Sequence, residues 1–121
     1  MQKYFGPEGI LASTVEGFEY RQGQLEMAQA VFECFRSETA LVVEAGTGTG
    51  KTWAYLVPAI LSGKKVVVST GTKTLQDQIL DYDIPFLKKN IDPKNSVISV
   101  KSSNVLKNIP TGDTSFLSQS L

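Results

Sequence analysis

The sequence predicts an α/β fold in which a parallel sheet carries helices on its faces. Two apolar, largely β-branched runs at residues 40–43 and 66–68 have the continuous character of strands buried on both faces. A segment compatible with a helix, residues 51–61, lies between them. Two strands joined through a helix form a right-handed crossover, so we expect the two strands to lie in one parallel sheet.

Further elements follow along the chain. Residues 1–17 show little periodicity and predict an irregular lead-in. From residue 21 to residue 36, apolar side chains recur at helical spacing, which predicts an amphipathic helix. A further helix, which follows the second strand, is predicted at residues 72–80. Residues 96–100 are a candidate third strand.

Two segments lack a regular pattern. Residues 81–85, Asp-Tyr-Asp-Ile-Pro, are interpreted as solvated charges before a proline-marked turn and not as a catalytic carboxylate pair. Residues 101–121 are rich in Ser, Asn and Thr, which predicts a poorly ordered tail. The chain is thus divided into a lead-in (1–17), a folded part (18–100) and a tail (101–121).

Length and composition narrow the function classes. The 121 residues suffice for one small domain. Because 12 basic residues balance 12 acidic residues, net charge gives no evidence for a nucleic-acid partner, and any such contact must depend on local geometry. One cysteine and no histidine exclude a disulfide within the chain and a Cys/His metal site. We see no signal peptide and no apolar run long enough to cross a membrane, and therefore expect a cytoplasmic protein without membrane contact.

The most informative stretch lies between the first predicted strand and its helix. Residues 44–52 read Glu-Ala-Gly-Thr-Gly-Thr-Gly-Lys-Thr. Glycines let a backbone curl so that several N–H groups point at one phosphate, and the following helix N-terminus adds partial positive charge. Lys51 can reach the β- and γ-phosphates, and the Thr52 hydroxyl can ligate a bridging Mg²⁺, so these two are candidate catalytic residues. The predicted nucleotide-binding residues of the loop are Ala45, Gly46, Thr47, Gly48, Thr49, Gly50, Lys51 and Thr52. The alternative is a glycine-rich turn that precedes Lys-Thr by coincidence. The strand and helix signals on either side of the loop disfavour this alternative.

Two weaker signals flank this loop. Arg21 and Gln24 stand at the start of the first long helix, where a Gln amide can pair with adenine; the alternative is that both are solvated residues of a helix start. Thr70 and Thr72 stand where the second strand ends, and such hydroxyls suit the phosphates of a nucleic-acid backbone. The alternative for them is a simple helix cap.

Read together, these segments resemble a known set of motifs. The order Tyr20-Arg21-x-x-Gln24, then residues 44–52, then Ser69-Thr70-x-Thr72, resembles the Q-type motif, motif I and motif Ia of superfamily-two DNA helicases. Ala45 replaces the first glycine of the strict phosphate-loop pattern, as in the helicase variant of motif I. The closest resemblance is to the DinG/YoaA branch, bacterial relatives of the XPD helicases, and it covers roughly residues 5–90.

The resemblance implies a partial RecA-like P-loop NTPase domain, incomplete at its C-terminus, in an ATP-dependent enzyme that moves 5′ to 3′ on single-stranded DNA and unwinds duplexes. ATP and Mg²⁺ are the implied cofactors, and ATP and single-stranded DNA the implied partners. By the same resemblance, Gln24 with Arg21 reads adenine, Lys51 and Thr52 hold phosphate and Mg²⁺, and Thr70 and Thr72 touch the DNA backbone.

The departures from this pattern are equally specific. The family's Asp-Glu-x-His motif, whose Glu activates the attacking water, is absent from the 121 residues, and so is a second RecA-like domain with its arginine finger. Many relatives hold an iron–sulfur cluster with four cysteines, which Cys34 alone cannot do, so we expect no cluster in this chain.

Three hypotheses follow. The first is the N-terminal piece of a DinG-like helicase that binds ATP-Mg but does not hydrolyse it usefully, with residues 101–121 outside the family pattern. The second is a stand-alone nucleotide-binding or regulatory module. The third, a small phosphotransferase, is disfavoured because no arginine follows Leu80. An incomplete sheet leaves apolar faces uncovered, which predicts a poorly soluble or oligomeric product.

Overall fold

The computed structural model describes residues 1–91 and the strand at residues 114–119. Six α-helices, one π-helix and two strands occur in this part of the chain. In order they are α1 (Gln2–Phe5), α2 (Ile10–Thr14), α3 (Gln22–Ser37), α4 (Lys51–Ser62), β1 (Lys65–Thr70), α5 (Lys73–Gln78), the π-helix (Ile79–Asp83), α6 (Ile84–Asn90) and β2 (Thr114–Gln119). The helices predicted at residues 21–36 and 51–61 and the strand at 66–68 are confirmed.

The core lies between α3 and α4, which pack against each other. Helix α4 is buried at six consecutive positions from residue 54 to residue 59, as expected for a helix that is apolar on every side. Helix α3 contributes one buried stripe at helical spacing. The stripe consists of Gln24, Leu25, Ala28, Val31 and Phe35.

Helix α4 ends where the sequence predicts. Gly63 adopts φ 64°, a left-handed conformation that glycine reaches without steric cost, and its N–H donates to the carbonyl of Ile60. The chain then turns directly into β1, so one short connection joins the end of α4 to the start of β1.

Strand β1 pairs in parallel with β2, in a register that runs from Lys65 opposite Thr114 to Thr70 opposite Gln119. Strand β2 falls within residues 101–121, for which the sequence predicts poor order. The remainder of that segment and the candidate strand at residues 96–100 lie outside the described residues.

The prediction of a strand at residues 40–43 is wrong. These residues form no strand, and Val42 is 97% exposed. A strand is stable only when its N–H and C=O groups pair with a neighbour, and β1 pairs with β2 in the described part of the chain. The apolar run therefore approaches the phosphate-loop segment without the ladder that would bury it.

Two further segments differ from their predictions. The lead-in contains α1 and α2, because Phe5 and Leu11 are large apolar side chains that bury completely in the core. The helix predicted at residues 72–80 is not followed by a turn at residues 81–85. It continues through the π-helix into α6, where Pro85 occupies the first turn, a position at which proline is tolerated.

No helix in the described residues is both long enough and apolar enough to span a lipid bilayer.

Candidate nucleotide-binding site

The glycine-rich loop curls ahead of α4. Gly48 and Gly50 have φ angles of 72° and 75°, which residues with a side chain rarely adopt. The Thr49 hydroxyl donates to the carbonyl of Gly46 over 2.8 Å and closes the turn. Gly50 is the residue immediately before α4, so the loop delivers its backbone directly to a helix N-terminus.

Lys51 spans this loop. Its Nζ donates to the carbonyl oxygen of Ala45 over 2.8 Å, in a half-buried position. The ammonium group is thereby held against the same loop whose backbone curls at Gly48 and Gly50. The loop faces outward from the core, because Gly46, Thr47 and Gly48 are exposed. Its other two residues, Ala45 and Thr49, are partly exposed.

Gln24 and Arg21 tie α3 to the loop. Gln24 is 7% exposed, and its Nε2 donates to the carbonyl of Gly50 over 3.1 Å. The Arg21 guanidinium donates to the carbonyl of Gly48 and pairs with Glu19 at 3.0 Å. The interpretation of both as solvated residues of a helix start is therefore wrong for Gln24, and Arg21, although exposed, has a partner in the loop.

A cavity of about 530 Å³ opens beside these contacts. Its walls come from the segment before α3, the starts of α3 and α4, and the end of α5 with the π-helix. The lining residues are Gly17, Phe18, Glu19, Arg21, Gln24, Gly50, Thr52, Trp53, Gln78 and Asp83. The structure therefore brings Arg21, Gln24 and Thr52, which are predicted from two separate motifs, to one cavity next to the phosphate loop.

Sequence reasoning missed Asp83 as a site residue. This residue is 7% exposed, and its Oδ1 accepts a hydrogen bond from Trp53 Nε1 over 2.8 Å. The π-helix, a form that is frequent at functional sites, carries Asp83 at its last position and places it inside rather than in solvent. A π-helix has no reliable sequence signature, and the interpretation of residues 81–85 as solvated charges is wrong for Asp83, because this residue is buried.

Tyr55 lies one turn into α4 and is buried. Burial raises the pKa of its hydroxyl to about 12, the hydrogen bond with Thr52 lowers it, and the negative charge of Asp83 raises it. The hydroxyl of Tyr55 is therefore a neutral group near Thr52 across the physiological pH range.

Thr70 and Thr72 lie together but do not line the cavity. Thr72 caps α5, since its hydroxyl oxygen accepts from the backbone N–H of Leu75 over 3.3 Å. The Thr70 hydroxyl donates to the carbonyl of Thr72 over 3.2 Å. The cap interpretation of Thr72 is thus confirmed, which leaves its second lone pair for any further contact.

No group of three or more metal-ligating side chains (His, Cys, Asp or Glu) occurs within the residues that the structure covers. Cys34 is a partly buried thiol in α3 whose sulfur accepts from the Thr39 hydroxyl at 3.5 Å.

A glycine-curled loop followed by Lys-Thr at a helix N-terminus, with a cavity beside it, defines the phosphate-binding-loop class of nucleotide site. The chain belongs to the DEAD/DEAH box helicase family, which matches residues 25–113. This family has a RecA-like fold, so the predicted fold class holds at that level.

Curated relatives are consistent with the DinG/YoaA resemblance. The chain is 46% identical over 97 residues to the ATP-dependent DNA helicase YoaA of Haemophilus influenzae, a match that covers 80% of this chain and 15% of that protein. It is 48% identical over 103 residues to YoaA of Escherichia coli, covering 84% and 16%. The ATP-dependent helicase DinG of Mycobacterium tuberculosis is 51% identical over 81 residues, covering 64% and 12%. The chain therefore spans about a sixth or less of the length of these relatives.

Proposed function

We propose that this chain is the ATP-binding portion of a DNA helicase that couples ATP hydrolysis to translocation on single-stranded DNA and duplex unwinding. The observation that carries the proposal is the placement of Lys51, Thr52 and Gln24 around one glycine loop and one cavity. The names of the relatives, ATP-dependent DNA helicase and ATP-dependent helicase, support the same activity.

The loop suits the phosphates of ATP. Its glycine conformations leave backbone N–H groups unobstructed by side chains, and the N-terminus of the 12-residue helix α4 adds a partial positive charge. Lys51, now bonded to the Ala45 carbonyl, is the cation that would exchange this neutral acceptor for a charged phosphate oxygen. Charge-assisted bonds are the stronger ones, which favours the exchange.

Thr52 is the residue that would ligate Mg²⁺, together with oxygens of the nucleotide itself. The bound ion would neutralise the charge that builds up on the phosphates. Thr52 lines the cavity next to Gly50 and is within hydrogen-bonding reach of Tyr55, so its hydroxyl lies at the entrance of the phosphate loop.

The adenine end of the nucleotide is assigned to the cavity. Gln24 keeps its side-chain oxygen and one N–H after bonding to Gly50, and these are the donor and acceptor that pair with adenine. Arg21 supports this position through Gly48. Because both residues also hold the loop, base recognition and phosphate binding would be coupled through the same two side chains.

The DNA contact is assigned to the end of β1. Thr70 and the backbone around Thr72 would bind phosphate oxygens of single-stranded DNA through the hydrogen-bonding groups that the capped turn leaves unused.

We further propose that β1 belongs to the parallel sheet of a RecA-like domain, in which residues 40–43 pair once neighbouring strands are present.

Hydrolysis is not assigned to the 121 residues, because they contain no Asp-Glu-x-His sequence. We propose that this chain binds ATP-Mg and that turnover needs residues from the rest of a helicase. A stand-alone regulatory module is the less favoured alternative, since the two YoaA relatives described above are named as helicases.

Equilibrium dialysis with labelled ATP-Mg tests the proposal. We expect saturable binding to the 121-residue chain and at least a tenfold, order-of-magnitude loss in Lys51→Ala, since one charge-assisted contact is removed. Lys89→Ala is the matched control, because Lys89 is exposed in the last turn of α6 and does not line the cavity. Equal binding by Lys51→Ala and the wild type, with both folded by circular dichroism, would refute it.

A further inference from the structure

Trp53 and Asp83 form a wall of the cavity that the motifs do not account for. Trp53 is the second residue after Lys51 on α4, and Asp83 ends the π-helix. Both line the cavity, and the indole Nε1 donates to Asp83 Oδ1 over 2.8 Å.

The indole is held from two directions. Its ring stacks on Phe86 of α6 with a centroid distance of 5.4 Å and an interplanar angle of 10°. The hydrogen bond to Asp83 sets its rotation, so one ring contact and one polar contact define the orientation of Trp53. A fixed aromatic ring is the kind of surface that a flat heterocycle contacts well.

The second carboxylate oxygen of Asp83 is an unused hydrogen-bond acceptor among the described residues. Its Oδ2 is buried and has no hydrogen-bond partner among the residues that the structure covers. A buried carboxylate oxygen without a donor is costly, and native proteins seldom keep one without a role. Asp83 lines the cavity, so a donor that enters there would satisfy Oδ2 while Oδ1 keeps its hydrogen bond with Trp53.

Together these features describe the ligand. It presents a flat ring to Trp53 and a hydrogen-bond donor to Asp83, next to a loop that suits phosphates. A purine nucleotide with an exocyclic amino group on the base has this chemistry, whereas a base with a carbonyl at that position would bring two acceptors together.

We propose that Asp83 is a specificity-determining residue of the nucleotide cavity, with Oδ1 orienting Trp53 against the base and Oδ2 accepting from the amino group of the base. This inference rests on the proposed function, since it concerns the base of the same nucleotide. It adds to the Gln24 contact a second reader on the opposite wall, contributed by the π-helix.

Tryptophan fluorescence gives a direct readout, because Trp53 is the one tryptophan of the sequence. ATP should change its emission, and inorganic tripolyphosphate, which carries the phosphates without a base, should leave the emission unchanged. The same response to both probes would show that Trp53 senses the loop and not the base, and would overturn the inference.

Asp83→Asn separates recognition from structure. The asparagine oxygen can still accept from Trp53, while its NH₂ group replaces Oδ2 and faces the base. We expect ATP to bind about tenfold more weakly, and inosine triphosphate, which carries a carbonyl in place of the amino group, to bind more tightly than to the wild type. A purely structural role would weaken both nucleotides alike, and that result, or no change for either, would refute the proposal.

Two controls keep the result interpretable. Asp81→Asn makes the same change two residues earlier, outside the cavity lining, and should preserve the ATP preference. Asp83→Leu removes both oxygens and should reduce the preference for ATP without reversing it, because Gln24 still contacts adenine. An undiminished preference would contradict the assignment. Dialysis with ATP separates failure of this inference from failure of the proposed function. If the wild type binds ATP and Asp83→Asn keeps the preference for ATP, this inference alone fails. If the wild type does not bind ATP, the proposed function is refuted as well.

Discussion

Gln24 donates from Nε2 to the carbonyl oxygen of Gly50 across 3.1 Å, which joins the first turn of α3 to the last residue before α4. The two residues are 26 positions apart, yet a Cβ atom built on Gly50 would overlap the Gln24 amide. Glycine is therefore required at position 50 for two reasons: its φ is 75°, and the Gln24 side chain approaches closely.

Gly50→Ala should consequently disrupt the loop. We expect a loss of about 1–3 kcal/mol in the free energy of unfolding and weaker ATP binding, because the side chain strains the backbone and displaces Gln24. Chemical denaturation and dialysis measure both. Gly23→Ala is the matched control: its Cβ meets no atom within 4 Å, and an alanine within α3 should stabilise by roughly 0.5–1 kcal/mol. Equal effects of the two substitutions would contradict this account.

Stability should fall at high pH through Tyr55. The pKa of its hydroxyl rises from 10.0 in the unfolded chain to about 12 in the native state. Between these values the native state keeps a proton that the unfolded chain has lost, so the free energy of unfolding decreases as pH rises, by roughly 2–3 kcal/mol in total. Below pH 10 the contribution is fully present.

Denaturation at pH 9 and pH 11.5 measures this effect. Tyr55→Phe lacks the titrating group and should lose the Tyr55 part of the pH dependence. Identical pH profiles of the wild type and Tyr55→Phe would show that burial does not perturb this hydroxyl.

Substitutions at Thr72 should separate capping from DNA contact. Thr72→Ala removes the cap of α5 and should cost about 1 kcal/mol of stability. Thr72→Asp keeps an oxygen that caps the helix but brings a negative charge to the proposed DNA contact. We expect Thr72→Asp to melt like the wild type and to bind a labelled oligothymidine more weakly in fluorescence anisotropy. Unchanged DNA binding would exclude Thr72 from the interface.

The chain should not turn over ATP on its own. Steady-state phosphate release with ATP-Mg, with and without single-stranded DNA, should stay at the level of Lys51→Ala, because the 121 residues contain no Asp-Glu-x-His motif. Phosphate release that disappears in Lys51→Ala would place a catalytic carboxylate among the residues of this chain.

Self-association should begin at residues 40–43. Val42 is 97% exposed, and Leu41 and Val43 are each 42% exposed, so the run offers unpaired backbone and apolar side chains together. We expect sedimentation velocity to show oligomers that Val42→Lys diminishes. Lys65→Glu, on the paired strand β1, is a charge-change control that should not abolish them. A wild-type chain that sediments as a sharp monomer would contradict this prediction.

The two long helices, the end of α4 at Gly63 and the phosphate loop were all predictable, because each depends on residues close together in the chain. Helical periodicity, a glycine at a left-handed position and the Lys51-Thr52 pair carry their signal within a window of about ten residues. The family resemblance adds the order of these windows along the chain.

Residues 40–43 and Asp83 show where this kind of reasoning ends. An apolar run becomes a strand only if a neighbour supplies its hydrogen bonds, and composition does not name the neighbour. Asp83 turns inward because one extra residue in a helical turn, within the π-helix, shifts the face on which it lies, and Trp53 from 30 positions away completes its environment.

Local chemistry thus suffices to locate a phosphate-binding loop and its helix in these 121 residues. The cavity is a different matter: its walls come from residues 17 to 83, and Gln24, Trp53 and Asp83 meet there through packing of α3, α4 and the π-helix. Packing between distant elements depends on the shapes and partners of many side chains at once, and that information appears only when the chain is folded.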